Sequence, residues 1–279
     1  MSRIITTSFI IVLGIIGISY WSWKNNPQIT EQLKQYLDKS DIITLEARYT
    51  PEQIMKAHSH ELLNDDRYKY QKPALTFHPY LLIEAKYTAP NKKTREGTLL
   101  WSLVDGEMIL DTDTWDKTHG FQDALLVNAT RNEFKVMNAL AKNGGSMTKE
   151  QLNRELNIDQ SITTNWIDSA RNKHLIIQKG DLLSLHFQNP KILVTPQTKI
   201  GQWLVTKPYS HQRVPKKFTR KQIEKIAKAA FGEDFTVRSM QEVSLPVYSI
   251  GVLNPDGSVH TSFWNALNGQ KINPRSFAY

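Results

Sequence analysis

The stretch from Thr130 to Phe187 constrains this chain most, because three helical patterns and a hairpin follow one another there with a turn signal at each joint. Thr130 and Glu133 make a capping box: the threonine oxygen takes one free amide of the first turn and the glutamate takes another. Phe134, Met137, Leu140 and Ala141 then repeat at helical spacing. Asn143, Gly144 and Gly145 stop that helix, since glycine accepts the angles of a helix end at no steric cost. A second box, Thr148 with Gln151, opens a short helix with Leu152 and Leu156 on its apolar side, and Asn157 to Asp159 turns the chain. The third helix, from Asp159 to about Lys173, places Ile162, Trp166, Ile167 and Ala170 on one side. Its other side holds Thr163, Thr164, Asn165, Arg171 and Asn172, which form a candidate interaction face, together with Asp168.

Leu175, Ile176 and Ile177, then Leu183, Leu185 and Phe187, flank Lys179 to Asp181 as the two arms of a hairpin. Three helices and a hairpin in this order resemble the winged helix-turn-helix family, in which the third helix commonly enters a DNA groove. The charge runs against that use. Residues 131–187 carry eight basic against six acidic side chains, whereas a DNA reader relies heavily on phosphate neutralisation. Nearly all of the formal charge of +8 lies instead between Lys207 and Lys228, where eight basic side chains face Glu224 alone. Arg213, Lys216, Lys217, Arg220 and Lys221 are the candidate polyanion patch within it, suited to anionic lipid.

Ile4 to Trp23 is an uncharged, mostly apolar run of 20 residues. At about 1.5 Å per residue a helix of that length spans roughly the 30 Å of a hydrocarbon core. Tyr20, Trp21 and Trp23 cluster at its far end, where amphipathic rings favour the lipid boundary. A cleaved signal peptide is the rival reading, but Trp21 and Trp23 sit where its cleavage site is expected. An anchor so near the start favours an exported bulk. Cysteine is absent, which excludes disulfides and thiolate metal sites.

Thr50, Pro51 and Gln53 start a helix holding His58 and His60, whose spacing puts them about 200° apart and so unsuited to one ion. Tyr80 to Tyr87 reads as a strand, and Thr98 to Val104 pairs with Met108 to Leu110 across the Asp105–Gly106 turn. Asp111, Asp113, Asp116 and His119 are the densest polar cluster. They could hold a hard cation or support hydrolysis, yet their spacing matches neither a calcium loop nor a metalloprotease helix. Aspartate and threonine also cap free amides where a strand gives way to a helix. Lys191 to Val205 is expected as a small hairpin.

Thr219 with Gln222 is another capping box, followed by the stripe Ile223, Ile226, Ala227, Ala230 and Phe231 and by Gly232. Three strands are expected after it, Phe235 to Val243, Val247 to Leu253 and Ser258 to Trp264, with turns at Asn254 to Gly257 and at Asn268–Gly269. One helix and three strands in this order resemble a PepSY-type domain, over 219–272; the resemblance implies a small extracytoplasmic module linked with binding or inhibition.

The expected fold is therefore α+β in successive units. These are an N-terminal transmembrane helix over 1–24, a juxtamembrane spacer over 25–41, and an α/β region with a β-hairpin over 42–129. That region runs into the winged-helix-like domain over 130–187, followed by a basic, proline-containing linker over 188–218 and a small helix-plus-antiparallel-sheet, PepSY-like domain over 219–279. The expected function is a single-pass membrane-anchored, non-catalytic protein-interaction module of the cell envelope, with an unidentified protein partner, membrane contact through Ile4 to Trp23, and no cofactor. A membrane-tethered DNA-binding transcriptional regulator is the alternative. A metal-dependent hydrolase using Asp111, Asp113, Asp116 and His119 is the second.

Overall fold

Two long strands, β3 (Ala74–Thr88) and β11 (Thr236–Leu253), carry the architecture of the computed structural model, which describes residues 41–63, 65–89, 91–208 and 212–272. They run antiparallel, from the pair Phe77 and Pro246 to the pair Lys86 and Thr236. Beyond β3 the sheet continues through β4 (Thr94–Ser102), β5 (Met108–Asp111) and β6 (Asp116–Lys117). Beyond β11 come β1 (Ile42–Leu45), parallel at Thr44 and Ser244, and β10 (Leu204–Lys207). Past Pro246, β11 pairs instead with β12 (Val259–Asn265), which carries β13 (Lys271–Ile272), and with β2 (Lys69–Tyr70). The result is one curled ten-stranded sheet.

Local chemistry accounts for its irregularities. Pro246 offers no amide hydrogen, and it sits opposite Phe77, whose N–H and carbonyl bond Gln212 and Val214 instead, so that pair exchanges no ladder bond. The sequence spacing of Val237 and Met240 would place them on opposite faces of a regular strand. A bulge between Val237 and Ser239 brings both onto the face that packs with Ala85 and Ile83. Asp105–Gly106 closes the β4–β5 hairpin with Gly106 at φ +75°.

One face of the sheet, with Leu81, Ile83, Leu99, Trp101 and Met108, is covered by helices. These are α3 (Phe121–Leu126), α4 (Arg131–Lys142) and α7 (Arg220–Phe231); Phe121 meets Phe134, Phe231 and Trp101, and Phe231 also meets Trp101. Against α4 lie α5 (Lys149–Leu156) and α6 (Gln160–Asn172), with a second sheet of β7 (Ser146–Thr148), β9 (Leu182–Leu185) and β8 (Ile176–Lys179). The other face of the large sheet buries Tyr80, Leu100, Ile109, Val243 and Leu245. Farther along β11, α1 (Pro51–Ala57) and α2 (Ser59–Leu62) contribute Ile54 and Leu62 to a cluster with Ile250, Val252 and Trp264. All four threonine capping boxes form, at Thr50, Thr130, Thr148 and Thr219.

The architecture corrects the expectation of an α+β chain of successive units. It is a mixed α/β fold in which residues from both ends share one sheet: the two strands expected over 235–253 are the single strand β11, laid between β3 and β1. The helix α7 does not close a small domain with its own strands alone; it packs on α3 and α4, and Arg131 Nη1 donates to the Ala229 carbonyl at 3.1 Å. The expected hairpin over Lys191 to Val205 is absent among the described residues. That stretch runs across the sheet instead, with bridges from Lys191 to His119 and from Lys199 to Asp111. The span Ile4 to Trp23 expected as a transmembrane helix lies outside the described residues, and among those described no helix is long and apolar enough to cross a membrane.

Candidate functional site

The structure engages the aspartates of the cluster with basic side chains, Asp111 and Asp113 sharing Lys199. Asp111 accepts from Lys199 Nζ at 3.0 Å and from the Asp113 amide at 2.8 Å. The Lys199 bond, then that amide, hold its carboxyl below the usual range. Asp113 accepts from Gln202 Nε2 at 3.0 Å and pairs with Lys199 and with Arg48. Asp116 pairs with Lys191, while His119 Nδ1 lies 3.1 Å from the Asn189 carbonyl and its ring meets Phe187 edge-on. Three of the four residues thus tie the chain over 189–202 to the β5–β6 region by side-chain ion pairs, and His119 does so through the Asn189 carbonyl. Among the described residues no group of three or more histidine, aspartate or glutamate side chains is placed to hold a metal ion.

On α6 the structure divides the predicted face. Thr164, Asn165, Arg171 and Asn172 are exposed, but Thr163 is fully buried, with its hydroxyl donating to the Asp159 carbonyl at 3.2 Å. Ile162, expected inside, is 45% exposed. The helix is rotated by one position from the sequence reading because Thr163, Ile167 and Ala170 form the buried stripe. Both cations near its end are held within the molecule: Arg171 by Asp168 at 2.8 Å and Gln178 at 3.2 Å, Lys173 by the fully buried Glu133 at 2.9 Å. The nearby hairpin leaves Ile177 47% and Leu182 44% exposed.

The basic stretch is partly neutralised as well. Lys216 and Arg220 converge on Glu242 at 2.8 and 2.9 Å. Burial raises the Glu242 pKa, but the hydrogen bond and charge of Lys216, then Arg220, outweigh it and leave the carboxyl below its ordinary range. Lys217 lies over the Phe218 ring, Arg213 belongs to the bridge with Phe77, and Lys221 is exposed.

A further site carries no signal in the sequence. On the sheet face away from α3, α4 and α7, a cavity of roughly 160 Å³ is lined by Tyr80, Asp105, Trp115, Lys117, Asn265 and Gln270 among others. Trp115 stands at φ +56°, a left-handed conformation that costs a bulky residue about 1–3 kcal/mol, and its ring meets Tyr80 edge-on at 5.6 Å. The Tyr80 phenol is buried, and burial, reinforced by the charge of Asp105, keeps it protonated despite hydrogen bonds with Ser102 and Trp115. Lys117 Nζ donates to Asp105 at 2.7 Å. Asn265 is fully buried; its Oδ1 accepts from the Leu267 amide at 2.9 Å, which fixes the orientation of the amide group, and its Nδ2 has no hydrogen-bond partner. A buried donor left so costs about 1–3 kcal/mol. Trp115 and Asn265 are brought together only by the fold, so neither could be paired with the other from sequence. Compared with known proteins, the chain matches no protein-family model, no curated protein and no solved structure.

Proposed function

We propose that the protein is a non-catalytic protein-interaction module attached to a membrane, with the outer side of α6 and the β8–β9 hairpin as its contact surface. The observation that carries this reading is the character of that surface: Ile162, Ile177 and Leu182 are exposed, while Arg171 and Lys173 are engaged by acids of the same molecule. A surface binding phosphates needs cations to spare, whereas a protein contact favours exposed apolar groups with uncharged polar neighbours such as Thr164 and Asn165. The resemblance to the winged helix-turn-helix family is consistent with a contact through the third helix or the hairpin. The paired state of Asp111, Asp113 and Asp116 argues against using them as a hydrolytic centre. Attachment to a membrane, with the bulk on the extracytoplasmic side, rests on the apolar run Ile4 to Trp23 and its aromatic end.

A photo-crosslinking residue at Asn165 in the full chain, expressed in its own cells, tests the surface. One discrete crosslinked protein is expected, lost when Ile177→Lys is added and retained when the crosslinker-bearing chain carries Lys86→Ala on the far strand β3. Binding of the purified chain to duplex DNA with a steep salt dependence, and no discrete crosslink, would replace this reading with the tethered regulator.

A further inference from the structure

The cavity beside Trp115 combines features that select a ligand class. Each charged group of its lining is ion-paired: Lys117 with Asp105, and Lys271 with Glu61, which lies outside the lining, at 2.6 Å. No uncompensated charge is present to draw an ion. The lining nonetheless offers acceptors on Asp105 and donors on Lys117 and Asn265, set beside the indole of Trp115. At roughly 160 Å³ it falls well below the about 300 Å³ at which drug-sized pockets begin, a size that suits one small ring.

We propose that this cavity is a binding site for a single neutral sugar ring. A sugar ring has the matching chemistry: hydroxyls on its edge both donate and accept, and its C–H face is apolar. One hydroxyl oxygen accepts from Asn265 Nδ2, the donor that lacks a partner within the protein; another hydroxyl donates to Asp105; and the C–H face packs on Trp115. Nδ2 has almost no water-accessible area, so binding displaces the exposed rim residue Gln270, whose amide then bonds a further sugar hydroxyl. The strained backbone of Trp115 is thereby assigned a purpose, since it holds the indole at the cavity wall. This inference stands apart from the contact surface on α6 and does not depend on it.

The full chain, labelled for NMR, should be titrated with methyl β-glucopyranoside, methyl α-mannopyranoside and N-acetylglucosamine, following tryptophan emission and the Asn265 side-chain amide signal. At least one sugar should give a saturable change in both, with a Kd of about 1 mM, weakened about tenfold by Trp115→Ala and measurably by Gln270→Ala. Gln270 is exposed, so its variant folds even if Trp115→Ala does not. No saturable response to any of the three probes would overturn the proposal, and so would wild-type affinity in both the Gln270→Ala and the Trp115→Ala chains. A response to inorganic phosphate without one to the sugars would also overturn it, by showing an anion site.

Discussion

His78 illustrates how a single side chain is decided by where it is buried. It is 2% exposed on β3, with Nε2 3.2 Å from the Thr76 hydroxyl, and burial pushes its pKa down to about 4 against the opposing pull of Asp105. The unfolded chain therefore binds more protons than the folded one between the ordinary value of 6.5 and about 4. Stability contributed by the neutral imidazole is complete above that window and falls as pH drops through it, by about 3 kcal/mol in all. Glu133 and Glu242 act lower: both carboxyls are held below their ordinary 4.5, so their share is present above that value and is lost only at more acid pH. Urea midpoints measured between pH 7 and pH 5 should decline in the wild type and flatten in His78→Asn, even though that variant is less stable throughout. Residue-scale chemistry was only partly legible in the sequence. Glu107 is buried and accepts from the Thr118 hydroxyl and from the amides of Gly120, Phe121 and Gln122, so it caps α3 from across the β5 turn. No spacing rule predicts it, because the N-cap of α3 is Gly120, which has no side chain to cap with.

Elements were legible where their signals are local. The four threonine boxes fix four helix starts because each is complete within four residues. The β4–β5 turn and the β8–β9 hairpin follow from glycines that accept positive φ. The stretch over 188–218, whose charges and prolines point to a basic linker, is instead built into the fold. Ile192, Thr198, Val214 and Phe218 are buried, and the Thr198 hydroxyl donates to the Ile109 carbonyl while accepting from the Leu100 amide. Gly97 lets this chain lie against β4, since a methyl group there would stand 2.4 Å from the Pro196 carbonyl oxygen, a backbone atom with little room to move. Gly97→Ala is expected to cost about 1–3 kcal/mol by chemical denaturation, the scale of overpacking. An unchanged midpoint would mean that this crossing contributes little to the fold.

At the scale of the whole molecule, β11 joins described segments far apart in the chain into one sheet. The segment 219–272, which resembles a PepSY-type domain, loses β3 and β1 as neighbours of β11 and α3 and α4 as neighbours of α7 when it is cut out. Ile223, Ile226, Phe235 and Val243 would then be exposed. Expressed alone, this segment should show a disordered circular-dichroism spectrum and no dispersed amide signals, while the full chain unfolds in one cooperative transition; a folded fragment would contradict the shared core. By itself the sequence determined where the four threonine-capped helices start, where the tight turns fall and which side of the regular strands is apolar, because those depend on neighbours within a few residues. Which strand lies beside which, which way α6 is rotated and which side chains surround the Trp115 cavity were decided only by the tertiary structure. Period-two alternation marks a face but names no partner, and the pairing of β3 with β11 joins segments far apart in the chain by burying apolar surface that each leaves exposed alone.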